Sequence, residues 1–230
     1  MDDAAFRCAS GVVPVFPLPG VVFFPRTVLP LHVFEPRYRA LVEDASRAEG
    51  LIAVSLLVPG WETNYAGTPA FHDIGTVGRI EDLERLPDGR FDLRLVGLVR
   101  VSFGEVVRSR PYRAVRVSVL PEVAVDEEDT SVRAAKLDLL ASHGCLMREL
   151  MCEEGLSLAL DERIPFEAAV NGACANLPVE PHVRQSLLEE NDLGARHRRA
   201  SRTSRGTSRA PGSNGSTSAW TRSSARGSRR

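Results

Sequence analysis

The strongest constraint on the fold is a run of alternating residues between positions 91 and 103. Apolar side chains occupy six of the odd positions and a glycine occupies the seventh: Phe91, Leu93, Leu95, Gly97, Val99, Val101 and Phe103. Successive residues of a β-strand point to opposite faces of a sheet, so this run predicts one long strand with a single buried face. A glycine in mid-strand lets such a strand bend, which favours a coiled, barrel-like sheet.

Short strands are predicted on both sides of this run, from about residue 12 to residue 120. Their sequences are VVPVF, VVFF, TVLPLHVF, LIAVSLLV, DIGTVGRIEDLERL and YRAVRVSVL. The PDG sequence at 87–89 predicts a hairpin turn before the long strand. Residues 36–48 predict one short helix, because Pro36 suits a first helical position and apolar residues then recur at helical spacing.

The apolar period changes from two to about three and a half after the acidic stretch 121–130. Three helices are predicted: one directly after this acidic stretch, one after Pro165 and one from Pro181. Because each is too short to be stable alone, we expect a small bundle packed on itself or on the sheet. The predicted division is an N-terminal extension (1–11), a β domain (12–122), a helical subdomain (123–195) and a disordered Arg/Ser-rich tail (196–230), which has too few apolar residues for a core.

Charge is distributed unevenly along the chain. Residues 196–230 contain ten arginines and no acid, which leaves 19 basic against 30 acidic residues, or 11 net negative charges, in residues 1–195. This net negative charge would repel nucleic acid, which argues against nucleic acid as a partner. No apolar run approaches the roughly 18 residues needed to cross a bilayer, and the four cysteines have no CxxC spacing. We expect a cytoplasmic protein with reduced thiols and no membrane partner; the sequence sets no oligomeric state.

Motifs for common catalytic chemistry are absent from the sequence. It contains no GxxxxGK[ST] phosphate loop, no HExxH and no GxSxG. The single lysine, Lys136, is predicted to be a solvated surface residue beside Asp138, so no Ser-Lys dyad is expected. His143, Cys145 and Cys152 share a helical segment, where small core residues are favoured over metal ligands. We predict a protein that is not an enzyme and has no metal or cofactor.

The candidate site is the long loop PGWETNYAGTPAFHDIG, residues 59–75. A loop of this length is either functional or folded over the core, and the sequence favours neither. Its aromatic and imidazole side chains would suit an exposed apolar polypeptide. With the turn residues expected to adjoin them, the candidate polypeptide-binding residues are Phe23, Phe24, Trp61, Tyr65, Phe71 and His72. Glu35 and Arg37, at the predicted helix start, are expected to pair with each other or with the backbone.

An ordered series of motifs resembles the amino-terminal, substrate-binding domain of Lon protease. The series is FPLPGVVFFPRTVLPLHVFEPRYRALVEDA, LIAVSLLVPGWE, HDIGTVGRI, LPDGRFDLRLVGLVRVSF, PYRAVRV and LPVEPHVRQSLLEENDL, and it covers about residues 12–192. The resemblance implies an α+β fold, a PUA-like β pseudo-barrel followed by helices. Arg26 stands where the resemblance leads us to expect a small residue, which affects the local turn rather than the fold.

The resemblance implies a binding role without catalytic residues to transfer. The ATPase and peptidase domains that follow this module in Lon protease have no counterpart in the sequence, so the chain resembles a stand-alone substrate-binding domain. The leading interpretation is a non-catalytic polypeptide-binding module, an adaptor or chaperone-like factor whose partners are unfolded or tagged polypeptide and a protease. The alternative is a PUA-like protein that binds a small molecule or nucleic acid.

Overall fold

A computed structural model describes residues 11–65, 67–123, 125–151 and 163–207 of the chain. In these ranges six strands and five α-helices follow one another, with a short 3-10 helix, Trp61–Asn64, between the third and fourth strands. The strands are β1 (Val12–Leu18), β2 (Val28–Val33), β3 (Leu51–Leu56), β4 (Ile74–Arg85), β5 (Phe91–Arg108) and β6 (Arg113–Val119). The helices are α1 (Pro36–Arg47), α2 (Thr130–Met151), α3 (Phe166–Ala175), α4 (Pro181–Leu188) and α5 (Leu193–Thr207).

The six strands form one sheet that closes on itself through β5. Their order is β2-β5-β4-β3-β1-β6, and β6 pairs back onto β5. The first half of β5 lies between β2 and β4, and its second half lies between β4 and β6. The β1–β3 pair is parallel and the other pairs are antiparallel. The predicted α+β fold with a β pseudo-barrel is confirmed, and β2 forms an additional strand at its side.

The odd-numbered apolar residues of β5 are buried as the alternation predicts, but on two faces of the strand. Phe91, Leu93 and Leu95 pack in one cluster with α1, whereas Val101 packs with Val77 in a separate cluster inside the barrel. Phe91, Leu93, Leu95 and Val101 are all at most 4% exposed. Between the pairs Val77–Val99 and Gly78–Gly97 the register against β4 shifts by one residue, which makes a bulge. Gly97 is required here because a Cβ would lie 2.3 Å from the carbonyl oxygen of Phe24. The glycine therefore serves a close backbone approach at the point where β5 changes neighbours.

The helices cover the barrel on two sides. Helix α1 buries Tyr38, Leu41, Val42 and Ala45 in one apolar cluster with residues of the sheet. Helices α2 to α5 share a second cluster with the β-domain residues Val22, Phe24 and Leu56. Apolar burial of this kind links the helical subdomain to the barrel. Among the described residues, no helix combines the length and the apolar character needed to cross a membrane.

The predicted disordered tail is wrong for residues 196–207, which belong to α5. Arg196 and Ala200 are 0% and 1% exposed, and Ser204 is also buried. The disorder prediction assumed that the arginines of this segment are exposed to solvent, which is not true of Arg196. Helical spacing places Leu193, Arg196 and Ala200 on one face, and the buried guanidinium donates to Asn171 Oδ1 at 2.8 Å and to the carboxylate of Glu122 at 2.6 Å. Residues 208–230 of the predicted tail lie outside the described residues.

Lys136 is not the solvated residue that the sequence predicted. Its side chain is 12% exposed, and Nζ donates to the carbonyl oxygen of Ile164 at 2.8 Å and lies 3.7 Å from Glu127 Oε2. The lysine therefore joins α2 to the segment before α3. Of the possible metal trio, His143 is half-buried, Cys145 is exposed and Cys152 lies outside the described residues. Within the described ranges no three His, Cys, Asp or Glu side chains are grouped to hold a metal.

Candidate functional site

Trp61 and Tyr65 of the long loop lie together at the start of α1. The two rings meet edge to face with centroids 5.3 Å apart. The hydroxyl of Tyr65 donates a short hydrogen bond to Glu35, and its carbonyl oxygen accepts from Arg37 Nη1 at 3.0 Å. The Arg37 guanidinium lies 4.8 Å from the centroid of the Tyr65 ring and also pairs with Glu35 at 3.0 Å. We call these four residues, Glu35, Arg37, Trp61 and Tyr65, the aromatic-arginine cluster.

Burial and hydrogen bonding set the protonation states around the cluster. Burial, followed by the hydrogen bond to Glu35, raises the pKa of Tyr65. Burial also raises the pKa of Tyr38, whose ring centroid lies 4.6 Å from the Arg37 guanidinium, to about 12. Both phenols are therefore neutral at physiological pH. The cluster therefore presents neutral aromatic rings beside the Glu35–Arg37 ion pair.

Phe71 and His72 fix the far end of the same loop to the barrel. The Phe71 ring packs edge to face on Phe103 at 5.3 Å, and Arg113 lies 4.3 Å above it. His72 donates its backbone N–H to the carbonyl oxygen of Leu56 at 2.9 Å. These contacts are made with the barrel, so Phe71 and His72 hold the loop in place. The long loop is thus anchored on the core at this end and exposes residues 62–64 at the other.

Phe23 and Phe24 do not lie at the surface beside Trp61, as the sequence interpretation expected. Phe23 is 3% exposed and packs in the cluster beneath α1, whereas Phe24 is 0% exposed and packs against the helical subdomain. The turn that carries them is buried because the carbonyl oxygen of Phe23 accepts from the Thr76 hydroxyl at 2.6 Å and that of Phe24 faces Gly97. Both phenylalanines are core residues and cannot offer a binding surface.

Three residues before and within the start of α1 were missed as candidates. Phe34 is 50% exposed and directly precedes Glu35. The alternation of the TVLPLHVF segment puts Phe34 on the face opposite Leu29, Leu31 and Val33, so the sequence does contain a signal. Glu35 and Arg37 do pair with each other, as expected, but the pair also holds Tyr65. The sequence separation of 28 residues between Arg37 and Tyr65 left no local pattern that could predict this contact.

Within the described part of the chain, two surface cavities have linings that include none of the six candidate residues. One, of about 620 Å³, lies between the end of α1, the start of β1 and the β5–β6 hairpin, with Tyr112 and Asp44 in its lining. The other, of about 590 Å³, is lined by β2 and the adjoining ends of β4 and β5. The lining of the second cavity includes β2, and the chain continues from β2 through Phe34 to Glu35 of the aromatic-arginine cluster.

Fold and site together define an α+β domain in which a closed β barrel is packed against a helical subdomain and carries a half-buried aromatic-arginine cluster at the start of α1. The model of the ATP-dependent protease La (LON) substrate-binding domain matches residues 12–203. The chain belongs to this family. The match ends inside α5, beyond the boundary at residue 195 that the sequence predicted.

Curated relatives include two bacterial Lon proteases. The Lon protease of Anaeromyxobacter dehalogenans is 31% identical over 188 residues, and Lon protease 2 of Myxococcus xanthus is 33% identical over 189. In each case the alignment covers 80% of this chain and 22% of the relative. The chain therefore spans less than a quarter of the length of these relatives, which places the similarity in one domain.

Two solved structures share the architecture. The N-terminal domain of a Lon protease from the Mycobacterium avium complex matches with a TM-score of 0.64 at 18% identity, over 84% of this chain and 98% of that one. A crystal structure of a Lon N-terminal domain protein from Xanthomonas campestris matches with a TM-score of 0.56 at 28% identity, over 83% and 95%. These likenesses support the assignment of the barrel and the helices to one domain type.

Proposed function

We propose that this protein binds unfolded or tagged polypeptide without cleaving it, and that the aromatic-arginine cluster is the contact surface. The observation that carries the proposal is the edge-to-face pair of Trp61 and Tyr65, held at the surface by Glu35 and Arg37. Both rings are only half-buried, so each keeps an apolar face for a partner. Aromatic side chains and arginine are the residue types that dominate binding surfaces.

The cluster is preorganised, which favours binding over accidental exposure. The Arg37 guanidinium contacts the rings of both Tyr38 and Tyr65, with distances of 4.6 and 4.8 Å to their centroids. A side chain already held by two rings, a carboxylate and a carbonyl oxygen loses little further entropy when a ligand arrives. The substrate-binding role of the family supports the same assignment. In this proposal the protein presents bound polypeptide to another factor, a protease or a folding partner, as an adaptor or chaperone-like protein.

The test is binding of reduced, fluorescently labelled casein to the full chain, measured by anisotropy. Replacing Trp61 with alanine should weaken binding by about 30-fold, the effect of losing roughly 2 kcal/mol at an aromatic anchor. The melting temperature should stay nearly unchanged, because Trp61 is half-buried and lies outside the three apolar core clusters. Trp61→Phe is the matched control and should retain most of the affinity.

Casein that fails to bind the wild-type chain would refute the proposed function. A Trp61→Ala variant that loses several kcal/mol of stability, yet binds normally per folded molecule, would assign Trp61 to the core instead. The same samples, incubated with ATP and casein, should show neither ATP hydrolysis nor casein fragments. Cleavage of casein by the wild-type chain would overturn the non-catalytic assignment.

A further inference from the structure

Strand β2 has one paired edge and one open edge. Among the described elements it pairs with β5 alone, through the register Val28–Val96 to Val33–Phe91. Just before β2, the N–H of Gly97 donates to the carbonyl oxygen of Thr27 at 2.9 Å. Hydrogen-bonded and non-bonded positions alternate along an antiparallel pair. Leu29 and Leu31 therefore direct their main-chain groups toward β5, whereas the even-numbered residues of β2 direct theirs away from the sheet.

The proline in β2 agrees with this assignment. Pro30 has no N–H, so it can occupy an outward position without removing a hydrogen bond from the β2–β5 ladder. The open edge then carries the N–H groups of Val28 and His32 and the carbonyl groups of Val28, Pro30 and His32. All three residues are exposed, with Val28 at 48%. An open edge with unpaired donors and acceptors is the structure to which an extended peptide adds as a further strand.

The sheet face beside this edge is acidic. Residues that pair directly share a face, so Pro30, Arg94 and Asp82 form one cross-strand row and His32, Asp92 and Glu84 form the next. Arg94 pairs with Asp82 at 2.8 Å and His32 with Asp92 at 2.5 Å, while Arg90 of the hairpin pairs with Asp88 at 2.6 Å and approaches His32. Four carboxylates against two arginines leave two net negative charges when His32 is neutral. The cavity of about 590 Å³ lies at these rows.

We propose that the open edge of β2 receives an extended polypeptide segment that carries lysine or arginine at alternate positions. The main chain of the segment pairs with Val28, Pro30 and His32, and its basic side chains extend over β2 toward the acidic rows. This inference rests on the proposed function, because it gives the bound polypeptide a path along β2, past Phe34, to the aromatic-arginine cluster. A second copy of this chain is disfavoured at the same edge, since it would bring a second acidic face against the first.

The main-chain pairing can be tested with synthetic peptides. The probe is a fluorescein-labelled ten-residue peptide that alternates arginine with valine, and two derivatives are N-methylated at all arginines or at all valines. An added strand directs only one of these two sets of N–H groups toward β2. One derivative should therefore bind at least tenfold more weakly than the parent, and the other should bind like the parent. Equal effects of the two methylation patterns would overturn the proposal.

The protein side of the pairing can be tested at Val28. Val28→Pro removes the outward N–H and should weaken peptide binding about fivefold, the effect of one lost hydrogen bond. Val28→Thr keeps the N–H and is the matched control, and it should bind normally. Both variants should have the same melting temperature as the wild type, because the outward N–H has no partner in the sheet. Equal affinity of the two variants for the unmethylated peptide would contradict strand addition.

The charge requirement can be tested at Glu84. Glu84→Gln should lower the affinity for the arginine-valine peptide. It should leave unchanged the affinity for a peptide in which threonine replaces arginine. Glu105→Gln is the matched control, an exposed carboxylate on the far half of β5. If Glu84→Gln binds both peptides like the wild type, the acidic face has no role. Casein binding at wild-type affinity in both Val28→Pro and Glu84→Gln would overturn the β2 inference alone and leave the proposed function standing. Dimerisation that Val28→Pro abolishes would assign the edge to a second copy instead.

Discussion

Arg100 and Arg196 are both 0% exposed and share one carboxylate oxygen. Arg100 Nε lies 2.7 Å and Arg196 Nη2 lies 2.6 Å from Oε1 of Glu122. Arg100 comes from β5, Arg196 from α5 and Glu122 from the segment that joins the barrel to α2. Burial lowers the pKa of Arg100, the nearby Arg196 lowers it further, and Glu122 opposes both effects. The three side chains therefore form an electrostatic link between the barrel and the helical subdomain.

Replacing Glu122 with glutamine should destabilise this link. The substitution leaves two buried guanidinium groups without their shared negative charge, and breaking a buried ion pair from one side costs about 3 kcal/mol or more. Urea denaturation followed by circular dichroism would measure the change in unfolding free energy. Glu105→Gln, at an exposed position, should stay within about 0.5 kcal/mol of the wild type. Equal stability of the two variants would show that the link carries no net energy.

The contribution of α5 can be measured with two truncations. A chain ending at residue 207 retains Arg196 and Ala200, whereas a chain ending at residue 195 loses both buried side chains. The shorter chain should unfold at a lower temperature than the longer one, because Asn171 and the carbonyl oxygen of Glu190 then lose their donor. Scanning calorimetry of both chains isolates the helix. Identical melting temperatures would restore the predicted boundary at residue 195.

These arginines also show where sequence patterns could and could not predict the fold. The alternation of Phe91, Leu93 and Leu95 predicted the first half of β5 and its buried face, because that face packs under α1. Arg100 occupies an even position, which the period-two pattern assigns to solvent. The register shift after Gly97 turns it instead to the face that Leu95 occupies, where the helical subdomain covers it through the carbonyl oxygen of Leu188 at 2.8 Å. The contact spans 88 residues, so no local pattern encodes it.

The candidate site was predictable only in part, for a similar reason. Loop length and aromatic content pointed to Trp61 and Tyr65, and the structure brings these two together. Phe23 and Phe24 were assigned to the same surface because an aromatic turn has the same composition whether it is exposed or buried. Their burial depends on the close approach of the turn to β4 and β5, where Gly78 and Gly97 make room for it. Tertiary packing decides such cases.

Cys174 should be protected from alkylation while the helical subdomain is folded. The side chain is 0% exposed, and burial raises the pKa of the thiol to about 12, despite the opposing effect of Arg196 and Arg199. Thiolate is the reactive form, so iodoacetamide at pH 8 should modify Cys174 only after unfolding. Peptide mass spectrometry can follow its modification beside that of the exposed Cys145. Equal labelling rates in native buffer would contradict the packing of α3, and labelling of both in urea is the positive control.

The close approach at Gly97 can be tested against a second glycine in the same protein. In Gly97→Ala the added Cβ would lie 2.3 Å from the carbonyl oxygen of Phe24 and 3.0 Å from Cα of Pro25. Backbone atoms must then move, and overpacking of this kind costs about 3 kcal/mol.

Gly172 lies within α3, and a Cβ added there would have open space for 4 Å around it, so Gly172→Ala should instead stabilise the chain by about 0.5 to 1 kcal/mol. Denaturant unfolding of both variants compares one chemical change at two sites. Since the turn at Phe24 joins the barrel to the helical subdomain, Gly97→Ala should also speed the alkylation of Cys174. A Gly97→Ala variant as stable as the wild type would show that β5 does not need a glycine where it changes neighbours.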